Sequence, residues 1–337
     1  MDDSAVARLI VQRVVNDTKG LKVAGHAISA EDALEKLRTI SPDLVILDIE
    51  MPGIGGIEAM PDIIRESGNA PILIVSSHCR EGAEASIKAM AMGASDIVLK
   101  PDSPDANGRF AAVLTEKMCR LTDPLSSGKA PRNIAGRTAP TPSPHPVHCL
   151  AIGASTGGIH ALSIFLSSLR DDVTAPILVT QHLPADFMIY FARQLSAISG
   201  RKAAPARDGQ SLIGGEIVVA PGDAHLALQQ HEGIVRVALD RSPMPSGVCP
   251  SVDVMLSSVA EIFGDTAVGV VLTGMGRDGA HGAEALARAG GEILAQDRES
   301  AVVWGMPGAV AEQGFASLVA TPAELAAHIG QRERTVR

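Results

Sequence analysis

The sequence predicts two α/β domains, each a doubly wound, mostly parallel sheet, joined by a flexible linker. Three observations predict it. Short apolar runs alternate with stretches whose apolar residues recur at helical spacing, once between residues 5 and 121 and again from residue 148 onward. Between the two series, residues 123–146 read DPLSSGKAPRNIAGRTAPTPSPHP, rich in Pro, Ser, Thr, Gly and Ala and without apolar periodicity, which is a linker composition. The 337 residues are about twice the length of a typical domain. The expected division is therefore 1–122, a linker over 123–146, and 147–337.

In the first series, residues 21–27, 43–47, 71–75 and 96–99 read as buried strands. Helical patterns at 31–38, 54–66, 82–92 and 107–121 lie between and after them, so βαβ units and a parallel sheet follow. The second series has apolar runs at 149–152, 176–180, 216–220, 234–239 and 267–272. Helical patterns at 159–169, 186–198, 251–263 and 279–289 accompany them. No repeat of 20 to 50 residues is visible, which sets solenoids and propellers aside. Hydrophobic residues make up 46% of the chain and aromatics only 2%, so both cores must be built from Ala, Val, Ile, Leu and Met.

Composition also narrows the function. A net charge of −9 without a basic cluster argues against nucleic acid as the main partner. No stretch approaches the ~18 to 20 apolar residues of a membrane span, and the first residues are acidic and polar, so a cytoplasmic protein without membrane insertion is expected. Cys79, Cys119, Cys149 and Cys249 are far apart with no CxxC pair, so most are expected to be small buried hydrophobes.

Asp48 closes the apolar run 44–47, and functional groups of a parallel sheet gather where strands end at their carboxyl side. Asp2, Asp3, Ser76 and Lys100 stand at equivalent strand ends, giving three carboxylates, a hydroxyl and an ammonium. Clustered carboxylates need a hard cation, and Mg²⁺ held by oxygen with positions left for phosphate fits. Attack of Asp48 on a phosphoryl donor then gives an aspartyl phosphate whose oxygens meet Lys100 and Ser76. The bland alternative is that each Asp caps the following helix.

DDSA at 2–5, LDIEMPGIGGIE at 47–58, VSS at 75–77 and GASDIVLKP at 93–101 resemble a response-regulator receiver domain over about residues 2–121. The resemblance implies Asp48 as phosphoacceptor, Asp2, Asp3, Asp48 and the Glu50 carbonyl around Mg²⁺, and Ser76 with Lys100 as the switch pair. Two departures stand out. The family has a hydrophobic first strand ahead of the acidic pair, whereas here Met1 directly precedes Asp2, so neighbouring strands are expected to lack a partner. The family's aromatic switch position, three residues before the lysine, is Ile97.

In the second half, the strand 149–152 runs through Gly153 and Ala154 into Ser155, Thr156, Gly157 and Gly158, and a helix follows. Ser155 thus sits at a helix N-terminus, where free N–H groups and the dipole favour negative charge. The turn is neither GxSxG nor GxGxxG, so a nucleophile turn, a phosphate cradle and a plain serine cap all compete. Two other strand ends deliver His182 and Asp278, which can complete a triad with Ser155, but His160, His225 and His281 are rivals by position.

AIGASTGG at 151–158, QHLPADF at 181–187, APGDAHL at 220–226, PSVDVM at 250–255, TGMGRDG at 273–279 and AQDRESAVVWGMPGAV at 295–310 are similar to the chemotaxis protein-glutamate methylesterases. Both domains, their order and the linker match, and the resemblance covers nearly the whole chain. It implies Ser155 as nucleophile, His182 as general base, Asp278 as its orienting carboxylate, and the backbone N–H groups near Thr156 and Met275 as oxyanion donors. It implies methylated chemoreceptors as substrate, a chemotaxis histidine kinase as phosphodonor, glutamine deamidation by the same acyl chemistry, and no metal for the ester step. Regulation, on this resemblance, is steric, with the unphosphorylated receiver covering the esterase cleft. Two other classes are disfavoured: a DNA-binding output needs a short basic helical module, and a nucleotide-binding Rossmann enzyme needs the missing GxGxxG fingerprint.

Overall fold

A computed structural model of the chain describes residues 1–77, 80–101, 107–122 and 145–336. Cys79 and the linker segment 123–144 lie outside the described residues. The chain divides into two compact units, Met1–Ser126 and Ser127–Arg337. Among the described residues no helix is long and apolar enough to cross a membrane.

The first unit runs α1 (Ala5–Asp17), α2 (Ala30–Leu37), β1 (Val45–Leu47), α3 (Met60–Glu66), β2 (Ile72–Ser76), α4 (Arg80–Ala91), β3 (Asp96–Leu99) and α5 (Asn107–Thr122). Ser4 and Ser29 cap α1 and α2 by accepting the Ala7 and Asp32 N–H groups, which fixes both helix starts. The sheet is β1-β2-β3, parallel throughout, with Leu47 opposite Ile74 and Val75 opposite Val98. Leu73, Val75 and Val98 pack against Val14, Val15, Phe110, Leu114 and Met118, an aliphatic core as the composition requires.

Residues 21–27 do not form the expected strand. A strand needs a ladder partner, and beside β1 it is Met1 that pairs, its N–H donating to Ile46 O and its carbonyl accepting from the Asp48 N–H. The 21–27 segment keeps a single bond of that kind, from the Asp2 N–H to Ala27 O. Beyond Met1 an open slot of about 870 Å³ is lined by Val15, Leu21, Val23, Leu44 and Ile46. The helix expected over 54–66 also shortens to α3, because Gly53 takes a left-handed φ of +86° and Gly56 lies too close to the Asp48 carbonyl for a Cβ.

The second unit runs β4 (Cys149–Ala154), α6 (Gly158–Ser168), β5 (Ile177–Gln181), α7 (Met188–Ser199), β6 (Ala203–Pro205), β7 (Ile217–Val219), β8 (His225–His231) and β9 (Ile234–Asp240). It continues with α8 (Val252–Phe263), β10 (Ala267–Val271), α9 (Ala280–Arg288), β11 (Glu292–Gln296), α10 (Met306–Glu312), β12 (Leu318–Ala320) and α11 (Pro322–Val336). Seven strands form one parallel sheet in the order β12-β11-β10-β4-β5-β7-β6. Strands β4, β5 and β10 are buried along their whole length, hence their unbroken apolar sequences. The chain leaves β4 toward β5 and later returns to β4's other side as β10, so the strand order reverses at β4.

The expected strand over 234–239 forms outside this sheet. It pairs antiparallel with β8 through Glu232 and Gly233, both at positive φ, as a two-residue hairpin turn requires. Among the described cysteines only Cys149 is buried, while Cys119 and Cys249 are exposed, so the expectation of mostly buried thiols is corrected. Burial pushes the Cys149 thiol above the ordinary range.

Candidate active site

Ser155 follows β4, His182 follows β5 and Asp278 lies seven residues beyond β10, all at the carboxyl ends of the three strands around the order reversal. Ala154 stands opposite Gln181, so Ser155 and His182 are the next register neighbours, and the His182 N–H donates to Ala154 O at 3.2 Å. Adjacent strands are about 4.8 Å apart, so the two backbones lie side by side at this sheet edge.

The turn that carries Ser155 is held from three sides. Its N–H donates to Thr273 O at 3.0 Å, and its carbonyl accepts from the Gly158 N–H and the Gln181 side-chain amide, each at 2.8 Å. Gly157 has φ +76°, and a Cβ there would meet Val302 at 2.6 Å, so only glycine fits. The Gln181 Oε1, buried without a hydrogen-bond partner among the described residues, lies over Gly158, where any Cβ would collide. Thr273 Oγ1 donates to Thr156 O at 2.9 Å, tying this turn to the loop after β10.

His182 Nε2 lies 2.8 Å from Asp278 Oδ2, with the His182 side chain 17% exposed and that of Asp278 3%. This leaves Nδ1 as the nitrogen available to Ser155. Burial alone would raise the Asp278 carboxyl. The bond and charge of His182, with donors from Val252 and Ser251, outweigh it and hold the group below the ordinary carboxylate range. Met275 is half-buried and follows Gly274, where an added Cβ would come within 2.8 Å of Ser155 Cβ. The Thr156 backbone occupies the first position of the turn after the serine.

The rival histidines separate cleanly. His225 is 1% exposed and bonded on both ring nitrogens, to the Ser251 N–H and to Ser242 O. His281 is exposed on α9 and His160 is half-buried in the first turn of α6. Of the four candidates His182 is the one paired with Asp278. The bonds that Gln181, Ser251 and His225 make around Ser155 and Asp278 were not foreseen, although QHLPADF, PSVDVM and APGDAHL contain these residues. Their roles depend on which strand ends meet, which spacing along one chain does not reveal.

In the first unit, oxygens of Asp2, Asp3 and Asp48 lie within 4.8 Å of one another. Lys100 Nζ stands 2.6 Å from Asp48 Oδ2 and 3.5 Å from Asp2 Oδ2. Burial raises the Asp48 carboxyl against the pull of Lys100. For Lys100 burial is the largest single effect and pulls the group down, but the bonds and charges of Asp48 and Asp2 together outweigh it and raise it. The Glu50 N–H donates to Asp48 Oδ1 at 3.0 Å, and its Oε1 accepts from Ser77 at 2.8 Å. Ser76 is fully buried and donates toward Gly82 O at 3.3 Å, so its hydroxyl faces α4 in this conformation. Ile97 is buried in β3.

Comparison with known proteins agrees with this division. Residues 150–329 match the CheB methylesterase family and residues 1–107 the response regulator receiver domain. The chain is 37% identical to the protein-glutamate methylesterase/protein-glutamine glutaminase 2 of Caulobacter vibrioides, over 100% of this chain and 98% of that relative. It is 38% identical to the protein-glutamate methylesterase/protein-glutamine glutaminase of Symbiobacterium thermophilum, over 94% and 91% respectively. Among solved structures, the Thermotoga maritima CheB methylesterase catalytic domain superposes with a TM-score of 0.53 at 37% identity, covering 55% of this chain and 98% of that one. The chain belongs to the CheB methylesterase family, in the form that carries a response-regulator receiver domain ahead of the esterase domain.

Proposed function

We propose that the protein hydrolyses glutamate methyl esters, and deamidates glutamines, on methyl-accepting chemoreceptors, with Ser155 as nucleophile, His182 as general base and Asp278 as the orienting carboxylate. The observation that carries the reading is the 2.8 Å contact of His182 with Asp278, one strand away from Ser155. Asp278 fixes the proton on His182 Nε2, which leaves Nδ1 as base. His182 takes the Ser155 proton as Oγ attacks the γ-carbonyl, and the oxyanion rests on the Thr156 and Met275 N–H groups. The proton passes to the departing methanol, or to ammonia from an amide. Water, deprotonated by His182, then releases the glutamate. Losing one oxyanion donor at such a site costs about 10²-fold or more in turnover.

The first unit is proposed to take phosphate at Asp48 from a chemotaxis histidine kinase and thereby to regulate the esterase. Asp2, Asp3 and Asp48 offer the hard oxygen set that Mg²⁺ prefers, with the Glu50 carbonyl completing it. The ion supplies charge neutralisation for the phosphoryl oxygens. In this reading Lys100, 2.6 Å from Asp48 Oδ2, meets a phosphoryl oxygen on Asp48, and Ser76 reaches it by turning from Gly82. A shift of a few kcal/mol between two states of the protein is enough for such control.

Methanol release from methylated receptor membranes, with and without a small phosphodonor, tests both halves. The parent protein should release methanol and Ser155→Ala should not, while keeping its fold. Near-parental release by Ser155→Ala would end the assignment. Labelling of Asp48→Ala by the phosphodonor as strong as the parent's would end the receiver half.

A further inference from the structure

Asp278 is held by more than His182. Its Oδ1 accepts from the Ser251 hydroxyl at 2.7 Å and from the Asp253 N–H at 3.2 Å, and its Oδ2 also accepts from the Val252 N–H at 2.7 Å. Ser251 is the fully buried residue at the start of α8, where a serine ordinarily caps its own helix. It makes no such cap bond. Its hydroxyl turns to Asp278, and the carboxylate itself meets the first N–H groups of α8.

Ser251 is fixed in turn by His225. The Ser251 N–H donates to His225 Nδ1 at 2.9 Å, so Nδ1 is unprotonated and the ring donates from Nε2 to Ser242 O at 3.0 Å. A continuous line of bonds thus runs from the Ser242 carbonyl through His225, Ser251 and Asp278 to His182. A carboxylate pivots about its Cβ–Cγ bond, and holding Oδ2 in line with the imidazole requires the other oxygen to be anchored. Without the Ser251 hydroxyl, Oδ1 keeps only the longer bond to Asp253.

We propose that Ser251 and His225 are positioning residues that set the orientation of the Asp278 carboxylate toward His182. The inference rests on the reading of Ser155, His182 and Asp278 as a triad. Neither residue needs to touch substrate, because both are buried behind the carboxylate. The titratable groups facing Asp278 are His182 and Asp253, and Asp253 in turn faces His281.

The test is the pH dependence of kcat and KM for methanol release by the full-length protein on methylated receptor membranes, normalised to active sites by a fluorophosphonate label. Ser251→Ala should lower kcat about ten- to a hundredfold, as loss of one hydrogen bond to a charged group implies. KM should stay unchanged. The acid limb should move to lower pH, since a carboxylate free to swing out of line holds the imidazolium proton less firmly. Ser251→Thr, which keeps the hydroxyl, should restore both. A Ser251→Ala profile that overlays the parent overturns the proposal, as does a loss that Ser251→Thr fails to rescue. If Ser251→Ala does not fold, the pair His225→Asn and His225→Leu decides: Asn places Oδ1 where Nδ1 accepted and should keep the parental acid limb, and identical limbs in the two variants overturn the proposal. A Ser155→Ala control that still releases methanol would instead remove the triad on which the proposal stands.

Discussion

Replacing Asp278 by Asn separates catalytic from structural loss. Both carboxylate oxygens are fully engaged: Oδ2 by His182 and the Val252 N–H, Oδ1 by the Ser251 hydroxyl and the Asp253 N–H. With the new NH₂ group on the Oδ2 side, it opposes the Val252 N–H and forces His182 to accept at Nε2, which puts the proton on Nδ1 and removes the base. On the Oδ1 side the Ser251 hydroxyl can reverse and accept, the Asp253 N–H loses its partner, and His182 keeps its tautomer but faces no negative charge. Both arrangements disable proton transfer, and loss of the carboxylate in a triad costs about 10⁴-fold in kcat, or about 5 kcal/mol. The cost to stability is smaller. Losing a charge at the N-terminus of α8 costs about 0.3 to 1 kcal/mol and orphaning one N–H about 1 to 3. Against a usual stability of about 5 to 15 kcal/mol, the variant stays mainly folded. The assay is methanol release at saturating receptor, read beside urea unfolding followed by Trp304, the sole tryptophan, which is buried in the second unit. A kcat within tenfold of the parent, with unfolding unchanged, would refute the reasoning.

Other perturbations have equally definite outcomes. Glu292 joins His328 at 2.7 Å and the fully buried Arg332 at 3.0 Å, so Glu292→Ala leaves an unpaired buried guanidinium. It should cost about 3 to 5 kcal/mol and lower the Trp304 melting midpoint by about 6 to 20 °C. Asp278 and Glu292 are both held below their ordinary values despite burial, so the stability they contribute is fully present above about pH 5 and is lost as pH falls through their folded values. Urea midpoints measured from pH 6 to pH 3 should therefore fall, and less steeply in Glu292→Gln. Asp48 is raised by burial, so its ionised form burdens the fold. Asp48→Asn should slow hydrogen exchange at the Ile74 amide in β2 at neutral pH while abolishing phosphodonor labelling. Gly157→Ala should depress turnover at least tenfold, because the added methyl meets Val302 at 2.6 Å and a positive φ is strained outside glycine.

Much of this architecture was legible where one physical signal dominated. Cys149–Ala154 and Ala267–Val271 are apolar throughout because both faces of a central parallel strand are covered, and each was found within two residues of its ends. Strand β11 was missed because Glu292 opens it and Gln296 closes it, polar ends that find partners only in the folded unit: Glu292 in Arg332 and His328, Gln296 in the Thr273 N–H. The segment 21–27 failed for the opposite reason, since its local preference for extended structure lacks a ladder to join. At the site, Ser155 was legible from its place between a strand and a glycine turn. The choice of His182 over His225 came from the family resemblance and not from spacing, because only the register of β4 with β5 puts one next to the serine in the sheet and leaves the other bonded to the Ser251 N–H.

The most direct measurement is the site of attachment of a fluorophosphonate, mapped by peptide mass spectrometry, in the parent and in His182→Ala. The account expects a single adduct on the peptide that contains Ser155, formed quickly in the parent and at least a hundredfold more slowly without the imidazole. An adduct on a different serine, or an unlabelled protein that still releases methanol, would contradict it.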